Sequence, residues 1–174
     1  PEHKLVALDV PEDAFFDVMA MHFALQALGT NTDNAFAMST FVGANLRRNR
    51  VLAGQEDLVF ENNLAYSPEF YATVFGPEIA QLVLEKALED RDTSLALDAI
   101  SALARTAGAD SLLTYADQPI VESMFYPDRK VQYEAALTLA ATLPTESFEG
   151  SYRVVPLLAS AIRSGGELYA LVIG

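Results

Sequence analysis

Few side chains in this sequence are equipped for chemistry. It holds two histidines and no cysteine. Without thiols there are no disulfides, thiolate metal sites or cysteine nucleophiles. His3 stands near the start of the chain, where order is often lost. His22 lies in the run Met21-His22-Phe23-Ala24-Leu25. It reads as a core or groove histidine, because no acid or nucleophile is spaced to work with it as a base. No zinc-protease His-Glu-x-x-His pair, Walker loop, glycine-rich dinucleotide turn or Ser–His–Asp context occurs. Tyr126 and Lys130 have the Tyr-x-x-x-Lys spacing of short-chain dehydrogenases. Pro127-Asp128 breaks the helix that such a pair needs, and no dinucleotide fingerprint precedes it.

The charged clusters have two readings each. Glu89, Asp90 and Asp92 crowd one turn; they are oxygen donors for a divalent cation, or a helix cap in a solvated loop. The cap is the stronger reading, and the same holds for Asp9, Glu12 and Asp13. Arg47, Arg48 and Arg50 form the one basic cluster in a chain of net charge −13. They either recognise an acidic peptide or complement the dipole in the last turn of a helix. The aromatics Phe60, Tyr66, Phe70, Tyr71 and Phe75 either line a groove for a peptide or pack an insertion. The candidate protein-binding residues are therefore Arg47, Arg48, Arg50, Tyr66 and Tyr71. No catalytic, cofactor-binding or metal-binding residue is assigned, and no cofactor is expected.

The elements that must position these groups are helical. The chain of 174 residues is 51% apolar, enough for a real core and too apolar for global disorder. No apolar run reaches the roughly 18 residues needed to span a bilayer. The anionic surface repels nucleic-acid phosphate and acidic lipid. No secretory signal is visible in Pro-Glu-His-Lys at the start, and with no initiator Met a trimmed chain is expected. Cysteine-free proteins occur on either side of a membrane, so the compartment stays open.

Gly76-Pro77-Glu78 opens a helix, since Pro suits its first position and Glu its positive end. Ile79, Leu82, Val83, Leu84, Ala87 and Leu88 cover more than one stripe of it. A second helix follows from an N-cap at Asp92 or Thr93, carries Leu95, Ala99, Ile100, Leu103 and Ala104, and ends at Ala107-Gly108. The pattern then recurs: a short helix over 119–126, a turn at Pro127-Asp128, and a helix over 129–143 that stops at Pro144. Asp92 and Asp128, Leu95 and Val131, Ala99 and Ala135, and Leu103 and Leu139 are each 36 residues apart. Paired helices recurring near that period are the mark of a solenoid. A further first helix runs from about Tyr152 to Gly165-Gly166. Upstream, Pro11-Glu12-Asp13 opens a helix to Leu28-Gly29. Another, capped by Thr32 or Asp33, spans 34–52 with Ala35, Met38, Phe41 or Val42, and Leu46 on its face. Residues 54–76 read as an irregular insertion with a short helix near 69–74. Residues 168–174 read as a strand, the start of a further, truncated domain over 167–174 or a tail.

The segment from Tyr126 to Ala140 resembles the second half of a HEAT repeat, whose pattern is a turn Asp, then Val-Arg, then Ala-Ala and Leu. Asp128, Val131, Ala135, Ala136 and Leu139 fit it. Gln132 and, one repeat earlier, Ala96 stand where Arg is usual, which puts the family's Arg–Asp ladder in doubt. The stretch 79–163 is also similar to HEAT-type proteins common in planctomycete bacteria. The resemblance covers about half the chain. It implies an all-α, armadillo-like superhelix of about three to four hairpins over residues 1–166. It implies a non-catalytic interaction scaffold whose partner is a protein or a neighbouring domain of the same chain; a rigid spacer within a larger protein is the alternative. A catalytic solenoid of the DNA-glycosylase kind is disfavoured by the acidic surface.

Overall fold

A computed structural model describes residues 10–53, 67–115 and 117–165. All regular structure among them is helical, and it divides into two units, residues 1–68 and 69–174. The expected C-terminal strand lies outside the described residues, as do His3, Asp9, Phe60 and Tyr66.

The first unit is a pair of packed helices, α1 (Glu12–Thr30) and α2 (Ala35–Leu52). Pro11 precedes α1, and Glu12 and Asp13 place negative charge in its first turn. The N-cap of α2 is Asn34, not Thr32 or Asp33: its side chain accepts from the Ala37 amide at 3.0 Å. Asn31 instead uses its side chain on the Asp33 amide, in a turn just upstream. Ala14, Met21 and Ala24 of α1 are buried, as are Phe41, Val42 and Leu46 of α2. The expected α2 face is corrected at one place, because Ala35 is exposed and Ala37 is buried.

The second unit holds α3 (Pro68–Val74), α4 (Gly76–Glu89), α5 (Thr93–Thr106), α6 (Ala109–Leu113), α7 (Pro119–Ser123), α8 (Arg129–Ala141) and α9 (Val154–Gly165). A single 3-10 turn, Ser151–Arg153, leads into α9. α4 and α5 form a hairpin; α5 packs on α8, α4 on α6 and α7, and α8 on α7 and α9. The expected stop of the α4–α5 hairpin is a Schellman turn. The Asp92 amide donates to Ala87 O at 2.9 Å and the Arg91 amide to Leu88 O at 3.2 Å, with Arg91 at φ 56°.

Positions 36 apart do the same work in α5 and α8. Asp92 caps α5 through the Leu95 amide at 2.9 Å, and Asp128 caps α8 through the Val131 amide at 3.1 Å. Leu95, Ala99, Leu103, Val131, Ala135 and Leu139 are all buried. The small alanines let neighbouring backbones approach closely. Polar ties join successive hairpins: the Tyr126 and Thr93 hydroxyls meet at 3.2 Å, and the Tyr133 and Ser160 hydroxyls at 3.1 Å. Gln132 donates to the carbonyl of Tyr126 and holds the hairpin turn. α8 ends two residues before the expected stop, because Leu143 turns left-handed at φ 50° ahead of Pro144.

Candidate functional site

The 36-residue register holds between α5 and α8 and fails just upstream of α8, where a cleft lies. Shifted by that period, α4 (residues 76–89) falls on residues 112–125. That stretch is not one helix. α6 ends at Leu113, α7 starts at Pro119, and the described residues between them are non-helical. Pro119 has no amide hydrogen to donate, and its ring disfavours α conformation at Gln118. Asp117 and Gln118 both take left-handed backbone, at φ 61° and 41°, costing roughly 1–2 kcal/mol each. Hydrogen bonds hold the bend: Gln118 Nε2 donates to Leu113 O at 2.8 Å, and the Val121 amide donates to Gln118 O at 2.8 Å. Upstream, Ser111 Oγ accepts from the Gly108 amide at 3.0 Å and starts α6. Buried Gln81 on α4 donates to the carbonyls of Ser111 and Leu112 at 3.3 and 3.4 Å, tying α6 to the core.

The opposite wall comes from the chain before the 3-10 turn. Gly150 is buried at φ 80°, and a Cβ there would sit 3.3 Å from Val121 Cγ1 and 3.4 Å from Phe125 Cε2. A side chain there would strain the left-handed backbone and crowd both neighbours. Between the walls is an open cleft of about 730 Å³. Three rings line it: Tyr115, Phe125 (48% exposed) and Tyr152 (73% exposed). Three carboxylates, Asp117, Glu122 and Glu149, share the lining. None of the three forms an ion pair among the described residues. Arg153 stacks its guanidinium over the Phe125 ring, 4.3 Å from the centroid. The Tyr115 phenol is pushed above its ordinary pKa, first by burial and then by the charges of Glu85, Asp117 and Glu78. Rings beside unpaired carboxylates have the chemistry to stack on and attract a cation.

The residues singled out from the sequence sit elsewhere. Arg48 on α2 is buried at 7% exposure, with Nη2 donating to Asn45 Oδ1 at 2.8 Å. Desolvation lowers the pKa of its guanidinium. Arg47 is half-buried and Arg50 is exposed. Tyr71 on α3 is half-buried between Phe70 and Phe75, with ring centroids 6.0 and 6.3 Å away. His22 is not a core residue. It is exposed, with its Nε2 2.9 Å from the Gln26 amide nitrogen and its ring edge-on to Phe23. It lies about 100° around α1 from the buried Met21. In the acidic turn, Asp92 is occupied as a cap, and Lys86 pairs with Asp90 at 3.0 Å and Glu89 at 3.1 Å. Asp90, then Glu89, hold the Lys86 ammonium above its ordinary pKa. Among the described residues no three histidine or acidic side chains gather as a metal set.

Tyr115, Phe125 and Tyr152 were not selected by motif or cluster. The signal that finds them is the period itself: Asp117-Gln118-Pro119 falls where the register demands mid-helix. No protein-family model, curated protein or solved structure matches the chain.

Proposed function

We propose that this chain is a non-catalytic protein-interaction module built from HEAT-like helical hairpins stacked as a short solenoid, with the cleft beside α7 as its binding surface. In this reading α4–α5 is one repeat, α6 and α7 with α8 are the next, and α9 begins a third. The partner is another protein or a neighbouring domain. No helix among the described residues is long and apolar enough to cross a membrane, and the −13 charge opposes nucleic acid.

One observation carries the reading. Where the counterpart of α4 would fall, the chain bends at Asp117 and Gln118, both left-handed, and the aromatic cleft lies beside that bend. Local rules are commonly broken where function requires it.

Selection of a random-peptide library on the full chain tests it. The expected result is a family of binders lost when Tyr152→Ala and Glu122→Ala are combined, with the thermal melt unchanged. Both side chains are exposed, so neither substitution opens the core. Recovery of no binder above background would replace the module with a rigid spacer.

A further inference from the structure

Resting on that reading of the cleft, we infer that its occupant is a basic peptide segment, whose lysine or arginine side chain enters among the rings of Tyr115, Phe125 and Tyr152 beside the carboxylates of Asp117, Glu122 and Glu149.

Aromatic faces carry negative quadrupole and attract cations within about 6 Å of the centroid. The site already displays this preference at its edge, where Arg153 lies 4.3 Å over Phe125. The three carboxylates form no ion pair among the described residues, which leaves them open to an incoming cation, while the Arg153 guanidinium at the edge of the cleft covers one face of Phe125. The raised pKa of the Tyr115 phenol reports the same negative surroundings, after burial. A cleft of about 730 Å³ falls within the roughly 300–1,000 Å³ of ligand sites, ample for a long side chain and its flanking backbone. Other occupants fit worse. An acidic segment would meet like charge, and an apolar one would strip water from carboxylates without pairing them. At longer range the −13 net charge steers basic partners in and acidic ones away.

The test uses the ¹⁵N-labelled full chain and three end-blocked peptides of equal length, with lysines, arginines or glutamates spaced by glycine. The lysine and arginine peptides are expected to give saturable amide shifts over residues 113–125 and 149–153, and the glutamate peptide none. Glu122→Gln with Glu149→Gln should weaken binding about tenfold through loss of two ion pairs. Tyr152→Ala should weaken it about threefold through loss of one cation–π face. All three positions are exposed, so an unchanged melt certifies the fold. Shifts scattered over the acidic surface without focus on these segments would overturn the inference, as would equal affinity for the Glu122→Gln/Glu149→Gln variant. Library binders that occupy the cleft but are apolar or acidic would sink the basic partner and leave the interaction module standing. A library with no binder at all would sink the module itself.

Discussion

Removing the two aspartate caps probes the 36-residue register where it is most explicit. Asp92 accepts from the Leu95 amide, and Asp128 from the amides of Lys130 and Val131. In each helix the capped amide belongs to a buried residue, Leu95 or Val131. Loss of an N-cap costs about 1 kcal/mol, within a range of roughly 0.5–2. Asp128 also accepts from the exposed Lys130 amide, which water satisfies once the carboxylate is gone. Asp92→Ala and Asp128→Ala should therefore each destabilise by about 1 kcal/mol. For a unit near 100 residues, 1 kcal/mol corresponds to roughly 4–8 °C in Tm. Asn caps as well as Asp, so Asp92→Asn and Asp128→Asn should restore most of the loss. Urea unfolding followed by circular dichroism measures all four variants. A silent Asp92→Ala beside a costly Asp128→Ala would refute the equivalence of the two helices, and so would failure of Asn to rescue.

Other consequences follow from the same packing. Ala99→Leu or Ala135→Leu should destabilise by about 1–3 kcal/mol through overpacking, read as a fall in the urea midpoint, because both methyls are buried on packed helices. Arg91→Gly should stabilise by about 0.5 kcal/mol: relief of left-handed strain of roughly 1–2 kcal/mol exceeds the added flexibility of the unfolded chain. A midpoint that falls instead would contradict the Schellman turn. In alkaline titration, Tyr115 should ionise above the ordinary tyrosine range. Tyr133 should ionise below it, because hydrogen bonds from Ser160 and then Ser164 favour its phenolate. The folded state holds the Tyr115 proton more tightly than the unfolded state. That contribution to stability is thus complete below about pH 10, the unfolded value, and is lost as pH climbs to the folded one. Glu85→Gln should lower the Tyr115 value, and no movement would count against the charge assignment.

Much of the second unit is legible from residue types alone. Pro77, Asp92, Asp128 and Pro144 mark helix ends through backbone chemistry that needs no tertiary context. The stripes Leu95–Ala99–Leu103 and Val131–Ala135–Leu139 mark the buried faces. α6 escaped notice because five residues are too few to show a helical period, and Ser111 with Gln81 hold it through contacts that spacing does not reveal. The cap of α2 is not legible in the sequence, because Asn31, Thr32, Asp33 and Asn34 are all turn and cap formers, and only geometry separates the Asn31 turn from the Asn34 cap. His22 is exposed despite its apolar sequence neighbours because α1 is apolar nearly all round, with Phe16 at 80% and Phe23 at 58% exposure. An apolar sequence neighbourhood there does not report burial. The cleft was missed for a related reason. Its rings come from three separate stretches, and only the violated period joins them.

The central claim, that α5 and α8 are successive copies stacked in register, is open to direct distance measurement. The chain has no cysteine, so introduced pairs can carry spin labels without background. Ser94, Lys130, Ser101 and Leu137 are exposed, and the pairs Ser94–Lys130 and Ser101–Leu137 each span the 36-residue period. Packed helices with axes about 8–10 Å apart should give both pairs the same short separation. The crossed pair Ser94–Leu137 should be longer, by an axial offset of about 10 Å. Separations for the two matched pairs that differ by more than one helical turn, about 5.4 Å, or a crossed pair shorter than either, would contradict the stack.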